Sequence, residues 1–457
     1  MSRLPEGDAT GFAQEVARAC QRRSGIVASE VYLKESRYRR TERTGAGPIA
    51  SSPAAPAGTQ AEETGLALRL FRAEGRAGHA WAPDPTDAGA LEIAAAAAAK
   101  LAERASPGAA DLPPGPWEPP DLDLYDPAVE QEEPVASLLA RIAAAILEEG
   151  KGEVEVESLA CIAGGSRVTL ATSAGFAASY RSTLMTLILA LRARRGSESV
   201  FDRSVIAARH LSMLDADRLG REAVRRARLP LGGAVLPPGP VRVALEPRVA
   251  ALLVEHLAAS LVEGAVERGR SALPATAPGE SVGSAGITLI EDASLPRGLG
   301  SAPFDGEAHP TRPWTLVERG TLRHLLGARA GRQGDRVGSA SRTSFTEPPR
   351  REPANLHLAR GERGPRALVA EAGSVFRVTG ASLLGRGGPA SGEVVLAASG
   401  ERLESGAFVE GVRGVTLVGR LRDILAGVLE AGNDLSFHLR GSVVGSPTLL
   451  IDGMWVA

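Results

Sequence analysis

Residues 241–268 read VRVALEPRVAALLVEHLAASLVEGAVER, and the change of texture at this point decides the fold. Pro247 has no N–H to lose at a first helical position and its φ is already helical, so a helix is expected over 247–268. Val249, Leu252, Leu253, His256, Leu257 and Ser260 share one face of that helix by spacing. Just upstream, 229–240 is rich in Pro and Gly and marks a domain boundary. Downstream, short β-like segments at 287–290, 314–317, 356–358, 374–378, 392–398, 414–417 and 448–451 alternate with glycine turns, and one further helix is expected at 421–430. Residues 233–457 therefore read as a large β-rich domain.

The N-terminal side reads differently. A helix over 8–23 places Phe12, Val16, Ala19 and Cys20 on one face, with Asp8 as N-cap. Strands are expected at 27–34 and 65–72, with 79–82 as a hairpin partner, and an Ala-rich helix at 87–104. The Gly/Ala/Pro/Ser-rich stretch 44–64 reads as a mobile loop. This gives an α+β domain over 1–105. Eight prolines fall within 106–134; proline removes donors and stops helices, so this segment reads as an extended linker or surface strap. A middle α+β domain over 135–232 follows: a helix at 135–149, strands at 153–159, 166–172 and 176–192, and a largely helical 204–226. The fold class is α+β, with antiparallel strands in the N-terminal units and a β-rich C-terminal domain.

Composition narrows the function. The chain has 457 residues, 44% hydrophobic and 23% charged, with a formal net charge of −2. That charge leaves no excess to neutralise phosphates, so nucleic acid is not an expected partner. Cys20 and Cys161 are the only cysteines, too few for a disulfide framework or a Cys-based zinc site. The opening MSRLPEGDATGF shows no apolar signal region. The longest apolar stretches, 93–99 and 184–191, fall short of the ~20 residues a membrane span needs. A cytoplasmic protein with no membrane partner is expected. No Walker A or strand–GxGxxG–helix pattern is present.

The C-terminal half carries a series of phrases: ERGRS at 267–271, GLGSAPFDGE at 298–307, LVERGTL at 316–322, SGERLESG at 399–406, VRGVTLVG at 412–419 and GNDL at 432–435. Their order and spacing resemble the TldD/PmbA family, also called modulator of DNA gyrase. The resemblance runs from about Phe12 to Ala457 and includes the turn at 172–175, where the family more often has Asn in place of Thr172. The gyrase name brings no DNA-binding feature with it, since no basic stripe or groove-reading helix is evident here. One branch of the family resembles TldD, a zinc peptidase with a HExxxH helix and a Cys ligand near the C-terminus. The other resembles PmbA, or TldE, the partner without those ligands. The resemblance implies a heterodimer that trims modified or unfolded peptides in the cytosol.

A catalytic zinc takes three protein ligands and an open position, with a Glu as general base. Aligned to the zinc motif, the 247–268 helix has Glu255 at the Glu position but Val254 and Ala259 at the two His positions, and no cysteine follows Cys161. No zinc is therefore expected in this chain; it is expected in a TldD-like partner. His256 reads foremost as a hydrogen-bonded core residue, with a role at a subunit cleft or as a ligand left open. Glu255 and His256 are the candidates if the site has diverged rather than vanished. His79, His210, His309, His324, His357 and His438 show no metal-ligand spacing and read as structural or surface residues.

In the 298–307 loop, Asp305 and Glu307 either shape a cleft or subunit contact, or cap turns and pair with arginines. Ala308 stands where the family usually has Gly, which bears on the loop's φ. Arg342 and Asn355 match recurrent family positions and are expected to brace loops, with substrate contact as the alternative. Three functions stay open: a non-catalytic PmbA/TldE-like subunit dimerising with a TldD-like zinc peptidase on peptide substrates, a diverged peptidase, and a stand-alone peptide-binding or scaffold homodimer. The first fits the residues best.

Overall fold

The computed structural model describes residues 9–44, 55–107, 114–273, 277–326, 340–384 and 391–457. Helix α1 (Ala9–Gln21) buries Ala13, Ala17 and Cys20, the small side chains on its inner face. It precedes the antiparallel strands β1 (Ala28–Thr44), β2 (Ala55–Arg72) and β3 (Arg76–Ala82) and helix α2 (Ala88–Arg104). Asp87 caps α2 by accepting from the Gly89 and Ala90 N–H groups. Gly78 lets α2 lie directly on β3, because a Cβ there would sit 2.0 Å from the Ala98 carbonyl oxygen.

Next come α3 (Glu132–Gly150), β4 (Val154–Thr172), β5 (Ala177–Arg195), β6 (Glu198–Ala208) and α4 (Ala216–Arg228). The six strands form one sheet in the order β3-β2-β1-β4-β5-β6. The β1–β4 pairing, from Glu30↔Thr172 to Thr44↔Ser158, puts strands of the 1–105 and 135–232 stretches into the same sheet. Alternation sorts the side chains. Val31, Leu33, Cys161 and Ala171 face the four helices, while Tyr32, Val168 and Leu170 face the other way, onto Phe304 and Phe345 of the C-terminal region.

Several expectations need correction. The loop expected at 44–64 is β2 from Ala55 onward, and 45–54 lies outside the described residues. The polar half of β1 supplies a ladder that overrides the loop-like composition, with Arg37 pairing Glu62 at 2.6 Å across the strands. The strands expected at 153–159 and 166–172 are one continuous β4. The helix expected over 204–226 begins only at Ala216, after the Asp215 cap; residues 204–208 instead finish β6, paired with Leu189 to Met185. Within the stretch 106–134, residues 114–126 run without helix or strand and α3 begins at Glu132. There Leu122 and Leu124 are buried, the Thr183 N–H donates to the Leu124 carbonyl (2.9 Å) and the Arg297 N–H to the Leu122 carbonyl (2.8 Å).

The C-terminal region runs β7 (Gly239–Leu245), α5 (Pro247–Ser260), α6 (Glu263–Glu267), β8 (Leu289–Glu291), β9 (Trp314–Glu318), β10 (Thr321–Leu322), β11 (Ala340–Ser341), β12 (Arg350–Arg351), β13 (Leu356–Leu358), α7 (Pro365–Ala370), β14 (Ser374–Leu383), β15 (Glu393–Glu404), β16 (Ala407–Arg420), α8 (Leu421–Ala426), β17 (Val428–Ala431), β18 (Ser436–Leu439), β19 (Val443–Ser446) and β20 (Leu449–Val456). One six-stranded sheet is ordered β16-β15-β14-β7-β20-β17 and another β10-β9-β8-β13-β19-β18. Helix α5 packs on β7 and β14 of the first and on β13, β18 and β19 of the second. It therefore buries side chains on most of its circumference, and its apolar residues join the largest core cluster. The helix expected to continue to 268 ends at Ser260 and restarts as the short α6, and the helix expected over 421–430 gives way to β17 after Ala426. The whole is a mixed α+β protein with several antiparallel sheets and a large β-rich C-terminal region.

Candidate functional site

Where the edge strand β6 meets the edge strand β18, a cleft of about 1590 Å³ opens between the first sheet and the C-terminal region. Strands β6, β14 and β18, helices α4 and α5, and the 295–299 loop line it. Its walls are rich in arginine. Arg225 donates to Glu246 at 3.1 Å and lies 3.8 Å from Glu401, while Arg377 pairs with Glu401 and lies 3.7 Å from Glu246, so these two cations are matched by two carboxylates. Arg226 and Arg248 share Asp202, each at 3.6 Å, and both donate to the Ser204 hydroxyl. His438, on β18, is pushed down to about 4, chiefly by burial, with Arg248 and Arg440 adding to the effect. Its ring is therefore neutral at physiological pH.

Helix α5 turns Arg248, Leu252 and Glu255 toward this cleft. Glu255 is already engaged: the Arg440 Nε–H donates to it at 2.8 Å and the Gly441 N–H at 3.2 Å. Val254, the neighbour in sequence, points into the core, and Ala259, one turn beyond Glu255, is half-buried. His256 is half-buried, its pKa lowered by burial and partly restored by Glu255. It does not line the cleft beside Glu255. What α5 presents here does not fit a catalytic zinc ion, which takes three protein ligands: one carboxylate, held by two donors, is the only anionic group. Among the described residues, no group of three or more His, Cys, Asp or Glu side chains could hold a metal ion.

The other four candidates lie elsewhere, in the seam between the first sheet and the C-terminal loops. Arg342 pairs with Glu30 of β1, the two side chains each 1% exposed, and its guanidinium lies over the Tyr32 ring at 4.8 Å. Arg69 of β2 bonds Glu307 at 2.8 Å and lies 3.7 Å from Glu30. Asp305 accepts from the N–H groups of Glu307 and His309 (2.9 Å each) and of Ala340 (3.2 Å), which folds the loop around it. Burial pushes its carboxyl up, against these N–H groups. Asn355 is fully buried. Its Oδ1 accepts from the Gly300 N–H (2.7 Å) and its Nδ2 donates to the Asp292 carbonyl (2.7 Å) and the Ser301 hydroxyl (2.8 Å). Ala308 adopts φ +67, the left-handed conformation for which glycine is the usual residue. Trp117 of the strap fastens the same loop, donating from Nε1 to the Ala308 carbonyl at 3.0 Å and stacking on Phe176.

Glu255 is thus the one sequence candidate in the cleft. The sequence does not single out the cleft arginines, and His438 reads there as structural or surface, because these residues come from four separate elements and arginine is abundant throughout the chain. The signal present was the pair of edge strands at 198–208 and 436–439, of which the sequence suggests helix over 204–208.

Known proteins resemble the chain over most of its length. Residues 238–457 match the model of the PmbA/TldA metallopeptidase C-terminal domain, and residues 124–231 that of the PmbA/TldA metallopeptidase central domain, together well over half of the chain. Metalloprotease PmbA of Escherichia coli O157:H7 is 25% identical over 321 residues, 70% of this chain and 69% of that protein. A metalloprotease of Methanothermobacter thermautotrophicus is 26% identical over 227 residues, and the Haemophilus influenzae TldD homolog is 26% identical over 253 residues. The aligned parts span about half the length of these two relatives (49% and 52%). In fold, the chain is similar to TldE from Thermococcus kodakarensis (TM-score 0.81, 16% identity, 98% of this chain and 100% of the other). It is also similar to a Thermotoga maritima protein described as a candidate modulator of a DNA gyrase (TM-score 0.80, 18% identity, 98% and 99%).

Proposed function

The chain belongs to the PmbA/TldD family of metallopeptidase-related proteins, and on that premise we propose that it is a non-catalytic, PmbA/TldE-like subunit of a zinc metallopeptidase. It pairs in the cytoplasm with a TldD-like chain that carries the zinc, and the pair processes unfolded or modified peptides. The observation that carries this reading is the cleft face of α5: Arg248, Leu252 and Glu255, with Ala259 beyond, offer one carboxylate and no imidazole. Glu255 weighs against a diverged peptidase, because a general base must be free to take a proton from water, whereas this carboxylate is held by Arg440 and the Gly441 N–H. The cleft between β6 and β18 supports a peptide-binding role, since an extended segment can lie along an unpaired strand edge. Among the described residues no helix is long and apolar enough to cross a membrane.

The test is reconstitution. The full chain is mixed with a zinc-bearing HExxxH relative from the same host, and light scattering and cleavage of an unfolded peptide are followed. The reading expects a mixed dimer that cleaves when neither chain alone does. Cleavage by this chain alone, or no association at micromolar concentration, refutes it.

A further inference from the structure

We propose that the floor of the cleft, where Arg226, Arg248, His438 and Arg440 meet, is a binding site for a carboxylate group. Three guanidiniums there share two carboxylates: Arg226 and Arg248 divide Asp202, and Arg440 holds Glu255. Asp202 saturates neither of its arginines. It stands 3.6 Å from each, whereas a charge-assisted N–H···O⁻ bond is about 2.7–2.9 Å. Two shielded nitrogens are left without a hydrogen-bond partner, Arg226 Nε and His438 Nε2. Arg226 is a donor only, and a neutral imidazole can present Nε2 as its N–H. The other acids lining the cleft are occupied elsewhere: Glu246 accepts from Arg225, Glu222 from the Arg218 side chain, Asp215 from the Arg218 N–H, and Asp434 from the Thr448 N–H (2.9 Å) and hydroxyl (2.7 Å). The three guanidiniums thus outnumber the two carboxylates they contact and leave unfilled donors in a shielded place, the complement of a planar anion with two acceptor oxygens. Shielding also makes the site selective, because buried donors left without an acceptor penalise a neutral ligand.

This rests on the reading of the cleft as a peptide site and deepens it: the carboxylate is either the C-terminal α-carboxylate of a peptide or an acidic side chain along it. Calorimetric titration of the full chain with three N-acetylated peptides of one alanine-rich sequence separates the sources. One peptide has a free C-terminus, one is C-terminally amidated, and one is amidated but carries a single internal Glu. The free acid, the Glu peptide or both are expected to bind at least ~10-fold more tightly than the neutral amide, about 1.4 kcal/mol, and which of them gains identifies the source. Arg248→Gln and Arg440→Gln, both at partly exposed side chains, should each reduce that advantage to less than about three-fold while leaving the melting temperature unchanged. Equal binding of all three peptides, no binding of any, or an advantage that survives both substitutions overturns the proposal. The titration uses neither zinc nor a partner chain, so its failure leaves the subunit reading standing, and failure of assembly leaves the carboxylate site standing.

Discussion

Replacing Arg342 with methionine should open the seam between the first sheet and the C-terminal loops. The side chains of Arg342 and Glu30 are each 1% exposed, and without the guanidinium the Glu30 carboxylate keeps only Arg69, 3.7 Å away. Removing one partner of a buried ion pair costs about 3–5 kcal/mol, because the other charge is stranded. The remaining Arg69 contact places the expectation near 3 kcal/mol, roughly the lower bound of that range. For a cooperative unit of about 150–250 residues, at 2–4 °C per kcal/mol, this is a fall of roughly 6–12 °C in Tm, read by scanning calorimetry of the full chain. The pair is incompletely satisfied, since Glu30 Oε2 and Arg342 Nε and Nη1 lack hydrogen-bond partners. The double variant Glu30→Gln/Arg342→Met, which strands neither charge, should therefore recover at least half of the loss. A single variant within ~2 °C of the parent, or a double variant as damaged as the sum of the two singles, refutes the reasoning.

Three further outcomes follow from the same geometry. Glu255→Gln, in a complex reconstituted with a zinc-bearing chain, should leave peptide cleavage within about two-fold, whereas loss of a general base would cost about 10²–10⁴-fold. Glu291 is pushed up to about 7, chiefly by burial, with Asp292 and Asp305 adding to it and the Ala354 N–H opposing. Its folded pKa lies above the unfolded one, so the stability from its neutral form is full below about pH 4 and is lost as pH rises toward 7. The loss is about 3 kcal/mol at 1.36 kcal/mol per unit. Glu291→Gln should then flatten Tm against pH over that window and raise Tm at pH 8; an unchanged slope contradicts it. Gly78→Ala should loosen α2 from β3, because the added Cβ meets the Ala98 carbonyl oxygen at 2.0 Å. Overpacking of this kind costs about 1–3 kcal/mol, and unaltered protection of α2 amides in hydrogen exchange would count against it.

What the sequence made legible was governed by local rules. Pro247 started α5, a capping residue at Thr86 or Asp87 started α2, and the alternation at 65–72 marked the inner half of β2. Non-local pairing defeated the same rules elsewhere. The Gly/Ala-rich lead into β2 is a strand because β1 lies beside it, and 204–208 extends because β5 offers a ladder, although its residues also suit a helix. At the candidate site the sequence singled out Glu255 but not its partners, since Arg440 is 185 residues away and meets it only through the packing of β18 on α5. The motif loop was legible as a set of turns. Asp305 and Asn355 brace it from within, but that Arg342 and Glu307 hold it against β1 and β2 required the sheet whose second face it covers.

The central claim is that this chain enters a peptidase without a metal of its own, and zinc stoichiometry tests it most directly. The purified full chain is incubated with zinc, desalted and analysed by elemental mass spectrometry, alone and in complex with an HExxxH-bearing relative. The account predicts a negligible zinc content for the chain alone and about one zinc per mixed dimer, as a single catalytic site requires. About one tightly held zinc per solitary chain, lost on replacing Glu255 or His256, would contradict it.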